Sequence, residues 1–244
     1  MDHTEPDWLD YFSGGVPTGE YFRLTLGDLR EVADLRDADE DWPGTNRFQQ
    51  LCFIGAVCYF EAFCKDHFAS ILNIEPSLVA NLKAAGQDTN IDAAHVIIYG
   101  HEIDRRIGFV LAEKYDFGSA TKINSLFNAL LTVTPFNGDE AEQYAEILRD
   151  RNLLVHHGGT FTLRYLEQKG ASASARSDAF YHSRTVRGEH ILQVLEFFEA
   201  IGKKVIRATH AALVEYLLKA GRKYSGQRQK ALEAILWWGD QAPA

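Results

Sequence analysis

Apolar residues recur at three- and four-residue spacing through most of this chain, which predicts an all-α fold. The longest such stretch, about Asn46 to Leu72, is apolar on most sides and stops before Pro76, as a helix buried most of the way round would be. Shorter helices are expected over about 77–86, within 91–115, and near Thr121 to Leu131, where Ile123, Leu126, Phe127 and Leu130 form one stripe. Before them, 1–25 reads as an irregular arm because of Gly14, Gly15, Pro17 and Gly19. Leu26 to Asp39 reads as a short acidic amphipathic helix, followed by a turn at Asp41-Trp42-Pro43-Gly44. A long helix from Glu189 to Lys219 and a last one from Gln227 to Trp238 close the chain.

The helix expected at about Asp139 to His156 has the clearest ends. Asn137 or Asp139 can cap it, acids fill its first turn, and Gly158-Gly159 stops it. Beyond it, Thr160 to Glu167 and Ala179 to Val186 alternate in period two with β-branched and aromatic residues around a Ser/Ala/Gly linker, which predicts a small β-hairpin at about 160–187. The organisation expected is an acidic arm and short helix over 1–45, a helical domain over 46–220 carrying the hairpin, and a C-terminal helix within 221–244.

On a helical wheel at about 100° per residue with Tyr144 at zero, Ile147, Leu148, Leu154 and Val155 fall on one apolar side, and Arg151 falls among them near 340°. A guanidinium buried without a partner is costly, so the stripe either opens into a cleft at this turn or faces an acid. Asn152 and His156 flank the stripe as an i, i+4 pair.

The net charge of −9 is uneven, with residues 1–46 holding twelve Asp and Glu against three Arg. Residues 200–230 carry eight Lys and Arg against Glu215 alone. A polyanion would therefore need a local basic surface. The stretch Tyr216 to Tyr224 mixes aromatics with Lys219, Arg222 and Lys223, as a nucleic-acid surface or a cation-stabilised helix end would. The longest apolar run, Leu51 to Cys64, is short of the ~20 residues a membrane helix needs, and the acidic start does not read as a signal peptide. Cys52, Cys58 and Cys64 sit six apart, too far for disulfides along a helix, which fits a reducing cytoplasm. No zinc-ligand spacing, Walker motif or dinucleotide fingerprint occurs, so neither a metal nor a cofactor is expected.

Arg151, Asn152 and His156 combine a charged planar fork for phosphate oxygens, an orienting amide and a group that moves protons near neutrality. RNA cleavage through the 2′-hydroxyl needs that much and no metal, because the nucleophile belongs to the substrate. Arg151-Asn-Leu-Leu-Val-His156, followed by His157-Gly158-Gly159, resembles the Arg-x(4–6)-His motif of the HEPN superfamily. Leu126-Phe127 through Thr134-Pro135-Phe136 and Tyr59-Phe-Glu-Ala-Phe63 are similar to bacterial HEPN domains of the RiboL-PSP type, so the resemblance spans about residues 46–220. It implies a helical bundle that dimerises with motif helices facing each other, and a metal-independent endoribonuclease of a toxin–antitoxin or other defence system. Arg151 and His156 would then be the catalytic pair with Asn152 in support, RNA the substrate, and an antitoxin or defence protein a further partner. Some members of that superfamily are inactive binding modules. A helical small-molecule binder in which Arg151 holds a structural ion pair is the remaining expectation.

Overall fold

The computed structural model describes residues 7–34 and 47–239. The protein is all-α, with no strand or sheet among the described residues. Two short 3-10 turns, Trp8–Tyr11 and Ser13–Gly15, lead into α1 (Thr18–Asp34) and α2 (Arg47–Ile74). There follow α3 (Val79–Ala84), α4 (Ala93–Tyr99), α5 (Ile107–Ala112), α6 (Ala120–Leu131) and α7 (Gly138–His157). The chain closes with α8 (Leu163–Gln168), α9 (Ala173–Ser177), α10 (Gly188–Lys219) and α11 (Gly226–Ala234).

The long helices fall where periodicity places them, α2 and α10 within two residues at each end. The arm expected over 1–25 is helical from Thr18 onward. Gly19 misleads because it serves packing, not a turn: a Cβ there would lie 2.4 Å from Trp237 O and 2.6 Å from Ile206 Cδ1. The end of the predicted Leu26–Asp39 helix and the turn at Asp41–Gly44 lie outside the described residues.

The β-hairpin at about 160–187 is absent, and this is the main correction to the sequence reading. Thr162 caps α8 by accepting from Tyr165 N at 3.1 Å, so the second half of the first expected strand coils. Its neighbours Tyr165 and Leu166 both become buried, packed with Leu153 and Ala179, where an extended chain would send them to opposite faces. A single antiparallel bridge, Thr160 to Ser183, with Phe161 N bonded to His182 O and Arg184 N to Gly159 O, is what remains of the pairing.

The chain divides into two compact units. The first comprises 1–24, 60–137 and 199–244. Its core is aromatic: Phe22 stacks on Phe63 at 4.6 Å, and Phe68 meets Tyr115, Phe117 and Phe127 edge-on. His67 is buried within it. The Thr209 hydroxyl donates to Val205 O, so His67 Nε2–H donates to Thr209 at 2.7 Å, and Nδ1 accepts from Thr18 at 3.1 Å. The ring is therefore the neutral Nε2–H tautomer. Burial, with the nearby His210 adding to it, holds its pKa down to about 3.

The same unit carries an internal carboxylate, Glu75, 1% exposed. Arg222 Nη1 and Tyr224 Oη each reach it at 2.6 Å, and Ser77 donates through both its amide and its hydroxyl. Burial pushes this carboxyl up, but the bonds from Ser77, Tyr224 and Arg222 outweigh burial and hold its pKa below the usual range. Tyr216 is bonded to Ser77 at 3.0 Å. Three residues of the aromatic–basic stretch are thus occupied in a structural bolt.

The second unit comprises 25–59 and 138–198. Its interior includes Leu26, Phe53, Val57, Tyr144, Ile147, Leu154, Ile191 and Leu195, and Tyr144 meets Phe198 edge-on at 5.8 Å. All the candidate site residues of the sequence belong to this unit.

Candidate functional site

The sequence reading centres the inner face of α7 on Arg151. The observed inner face carries Tyr144, Ile147, Asp150, Leu153 and Leu154, whereas Val155 is 47% exposed. The face is rotated by about one side chain from the apolar stripe, and the charge placed inside is Asp150, only 4% exposed. Arg151 is half-buried at its edge.

Asp150 is fully employed. Tyr165 Oη donates to its Oδ1 at 2.6 Å, and Arg184 Nε donates to its Oδ2 at 2.9 Å. Arg184 Nη2 also donates to His190 Nε2 at 3.3 Å, and the imidazole stacks on Phe53 at 5.3 Å. An acceptor Nε2 fixes the neutral Nδ1–H form of His190, and burial followed by the Arg184 charge lowers its pKa. Burial and the bond to Asp150 push the Tyr165 phenol well above its ordinary value. Residues 15 and 34 positions away complete this network, so no local motif announces it.

Gly158 and Gly159 end α7 with positive φ of 59° and 88°, the left-handed conformation that favours glycine. Gly159 N bonds back to Leu153 O at 3.1 Å, which turns the chain over the last helical turn. His156 and His157 are therefore exposed at the end of the helix, next to the start of α8.

Between this end of α7 and α8 lies a groove of about 330 Å³. Asn152, His156 and His157 line it with Arg149, Arg164, Thr162, Tyr165 and Gln168. No acid is among the lining residues, in a chain whose net charge is −9. Of the three predicted site residues, the groove brings Asn152 and His156 together. Arg151 is not part of the lining; its Nη1 donates to Asn152 Oδ1 at 3.0 Å, so its tip is tied to the groove through that amide. The internal carboxylate of α7 is held by Arg184 and Tyr165.

Arg149 and Arg164 were not singled out by sequence reasoning. Arg149 lies two residues before Arg151 on α7, and Arg164 lies on a segment expected to be a strand. Recognising α8 as a helix capped by Thr162 is the signal that would have turned Arg164 toward His156. Among the described residues no group of three or more His, Cys, Asp or Glu side chains stands together in metal-binding geometry. No helix among them is long and apolar enough to cross a membrane.

A groove with two guanidinium groups, two imidazoles, an amide and hydroxyls can hold a phosphodiester and exchange protons with it. No family model matches the chain, and neither does any curated protein or any solved structure.

Proposed function

We propose that this protein is a metal-independent endoribonuclease of the HEPN type, with Arg151, Asn152 and His156 as its site residues. The observation that carries the reading is the acid-free groove at the end of α7, where Asn152 and His156 stand with Arg149 and Arg164. Such a lining attracts a polyanion locally despite the negative net charge.

In the reaction, His156 takes the proton of the ribose 2′-hydroxyl or returns one to the leaving 5′-oxygen. Arg151, steadied through Asn152, stabilises the charge that develops on the phosphorus oxygens. The 2′-oxygen bonds to phosphorus, the bond to the 5′-oxygen breaks, and the products carry a 2′,3′-cyclic phosphate and a 5′-hydroxyl. One histidine serves one proton transfer at a time. A homodimer with two α7 ends facing each other would supply the second, and is part of this reading. A cytoplasmic setting agrees with three free thiols, two buried and one exposed. A role in toxin–antitoxin or antiviral defence, with a neutralising partner protein, completes the proposal.

The test is incubation of the purified protein with single-stranded RNA in EDTA. Fragments ending in 2′,3′-cyclic phosphate are expected, with none from RNA methylated at the 2′-oxygen. Absence of fragments from a range of RNAs would overturn the reading.

The place of Arg151 outside the groove lining favours a second reading, a HEPN-like module that holds RNA without cutting it. That reading predicts binding of the same RNA with full recovery of intact strands.

A further inference from the structure

We propose that Arg164, together with Arg149, is the phosphate-binding clamp of the α7–α8 groove, and that the ligand it grips is the sugar-phosphate backbone of single-stranded RNA. The inference rests on reading this groove as an RNA site, and it assigns the gripping role to residues outside the Arg-x(4–6)-His motif.

Arg164 lines the groove that holds Asn152 and His156, is exposed, and makes no ion pair or hydrogen bond among the described residues. Its charge is therefore unspent. Arg149 shares its nearest acid: Glu146 Oε1 lies 3.3 Å from Arg149 Nη2 and 3.3 Å from Lys169 Nζ, one carboxylate between two cations. Arg149 Nε is buried and makes no hydrogen bond among the described residues. Arg151 has its Nη1 on Asn152 and does not line the groove. The chain thus separates two duties. Arg164 and Arg149 bind phosphate from α8 and α7 of one protomer, while Arg151 and His156 act at the reacting centre.

The rest of the lining suits a nucleotide strand. Thr162 and Gln168 offer hydrogen bonds without charge, and the Tyr165 ring lies against Phe161 in a parallel stack at 5.4 Å, fixed in place by its bond to Asp150. A volume of about 330 Å³ admits roughly one nucleotide unit with its phosphate, so neighbouring nucleotides run out along the surface on either side.

The experiment uses the full-length protein and a fluorescent single-stranded RNA of twelve nucleotides, methylated at every 2′-oxygen so that binding is read without cleavage. Anisotropy titrations at several salt concentrations give the dissociation constant and its salt dependence. Arg164→Ala is expected to weaken binding about tenfold and to lower the slope of log K against log salt by about 0.7, the loss of one phosphate contact on a single strand. Arg164→Lys should keep the slope and recover part of the affinity, because the charge remains while the fork is lost. Lys122→Ala, which removes an exposed cation that does not line the groove, should leave the dissociation constant within about twofold.

Equal binding by Arg164→Ala and the parent protein would overturn the clamp even if RNA is cut. Binding that depends on Arg164, with unmodified RNA recovered intact, would uphold the clamp and sink the nuclease reading. Failure of the parent protein to bind RNA would overturn both.

Discussion

Arg184 reaches across 34 residues of sequence to grip Asp150, its Nε 2.9 Å from the carboxylate Oδ2. That ion pair, joined by the Tyr165 hydroxyl, ties α8 and the segment before α10 to the inner face of α7. It therefore fixes the wall of the groove as well as the fold of the second unit.

Removing a single donor from this network should be felt. Tyr165→Phe deletes a 2.6 Å bond to a buried charged acceptor and should cost about 2 kcal/mol. Asp150→Ala strands both donors and should cost about 3–5 kcal/mol. Urea denaturation reads both as lower midpoints at unchanged slope. A Tyr165→Phe protein as stable as the parent would show that the bond adds nothing net.

Acid should weaken the fold through its buried histidines. His67 stays neutral in the folded protein down to about pH 3, whereas the unfolded chain protonates it near 6.5. Across that window the unfolded state holds the extra proton, so stability falls as pH falls. From pH 7 to pH 5 this histidine alone should remove about 2 kcal/mol. Burial lowers His190 and His210 as well, and their effects add in the same direction. His67→Gln should be less stable at pH 7 but should lose less between pH 7 and pH 5, measured by denaturation at both. An unchanged pH dependence would count against His67 as its source.

Two glycines separate packing from propensity. A Cβ on Gly108 would stand 1.9 Å from Ala69 O, and its amide is already bonded to Asn73 Oδ1 at 2.7 Å. Gly108→Ala should therefore cost about 3 kcal/mol, through a forced shift of backbone. Gly27, inside α1, has open space around its own position. Gly27→Ala should stabilise by about 0.5–1 kcal/mol. Thermal melts of the two variants should move in opposite directions.

The sequence displayed the elements whose signals are local. The acids, turn residues and paired glycines around α7 mark its ends to within about a residue, because capping and chain reversal involve only near neighbours. The inner face of α7 was less legible. Assigning every apolar residue to one stripe put Arg151 at its centre, but Asp150 is admitted to the interior by Tyr165 and Arg184, which are distant in sequence. Val155 then turns outward. The segment 160–187 failed for a related reason. Alternation over eight residues fits a strand, yet one Thr162 cap and the joint burial of Tyr165 and Leu166 decide for a helix.

The candidate site was legible as three residues of one helix and not as a groove. Asn152 and His156 do share a concave surface, but Arg164 completes it from a helix that periodicity did not predict. The aromatic–basic stretch left two readings open in the sequence, a nucleic-acid surface and a cation-stabilised helix end. Arg222 and Tyr224 are spent on Glu75, which lies about 150 positions earlier.

Cleavage of single-stranded RNA in EDTA by the parent protein and by His156→Ala, under single-turnover conditions, decides whether His156 is a catalytic proton-transfer group. His156 is exposed, so its truncation should leave the melting curve in place. Cleavage by the parent is expected, with a loss of at least about a hundredfold in the variant, the size expected for removing a general acid–base group. Equal rates for the two proteins, or no cleavage by either, would contradict that role.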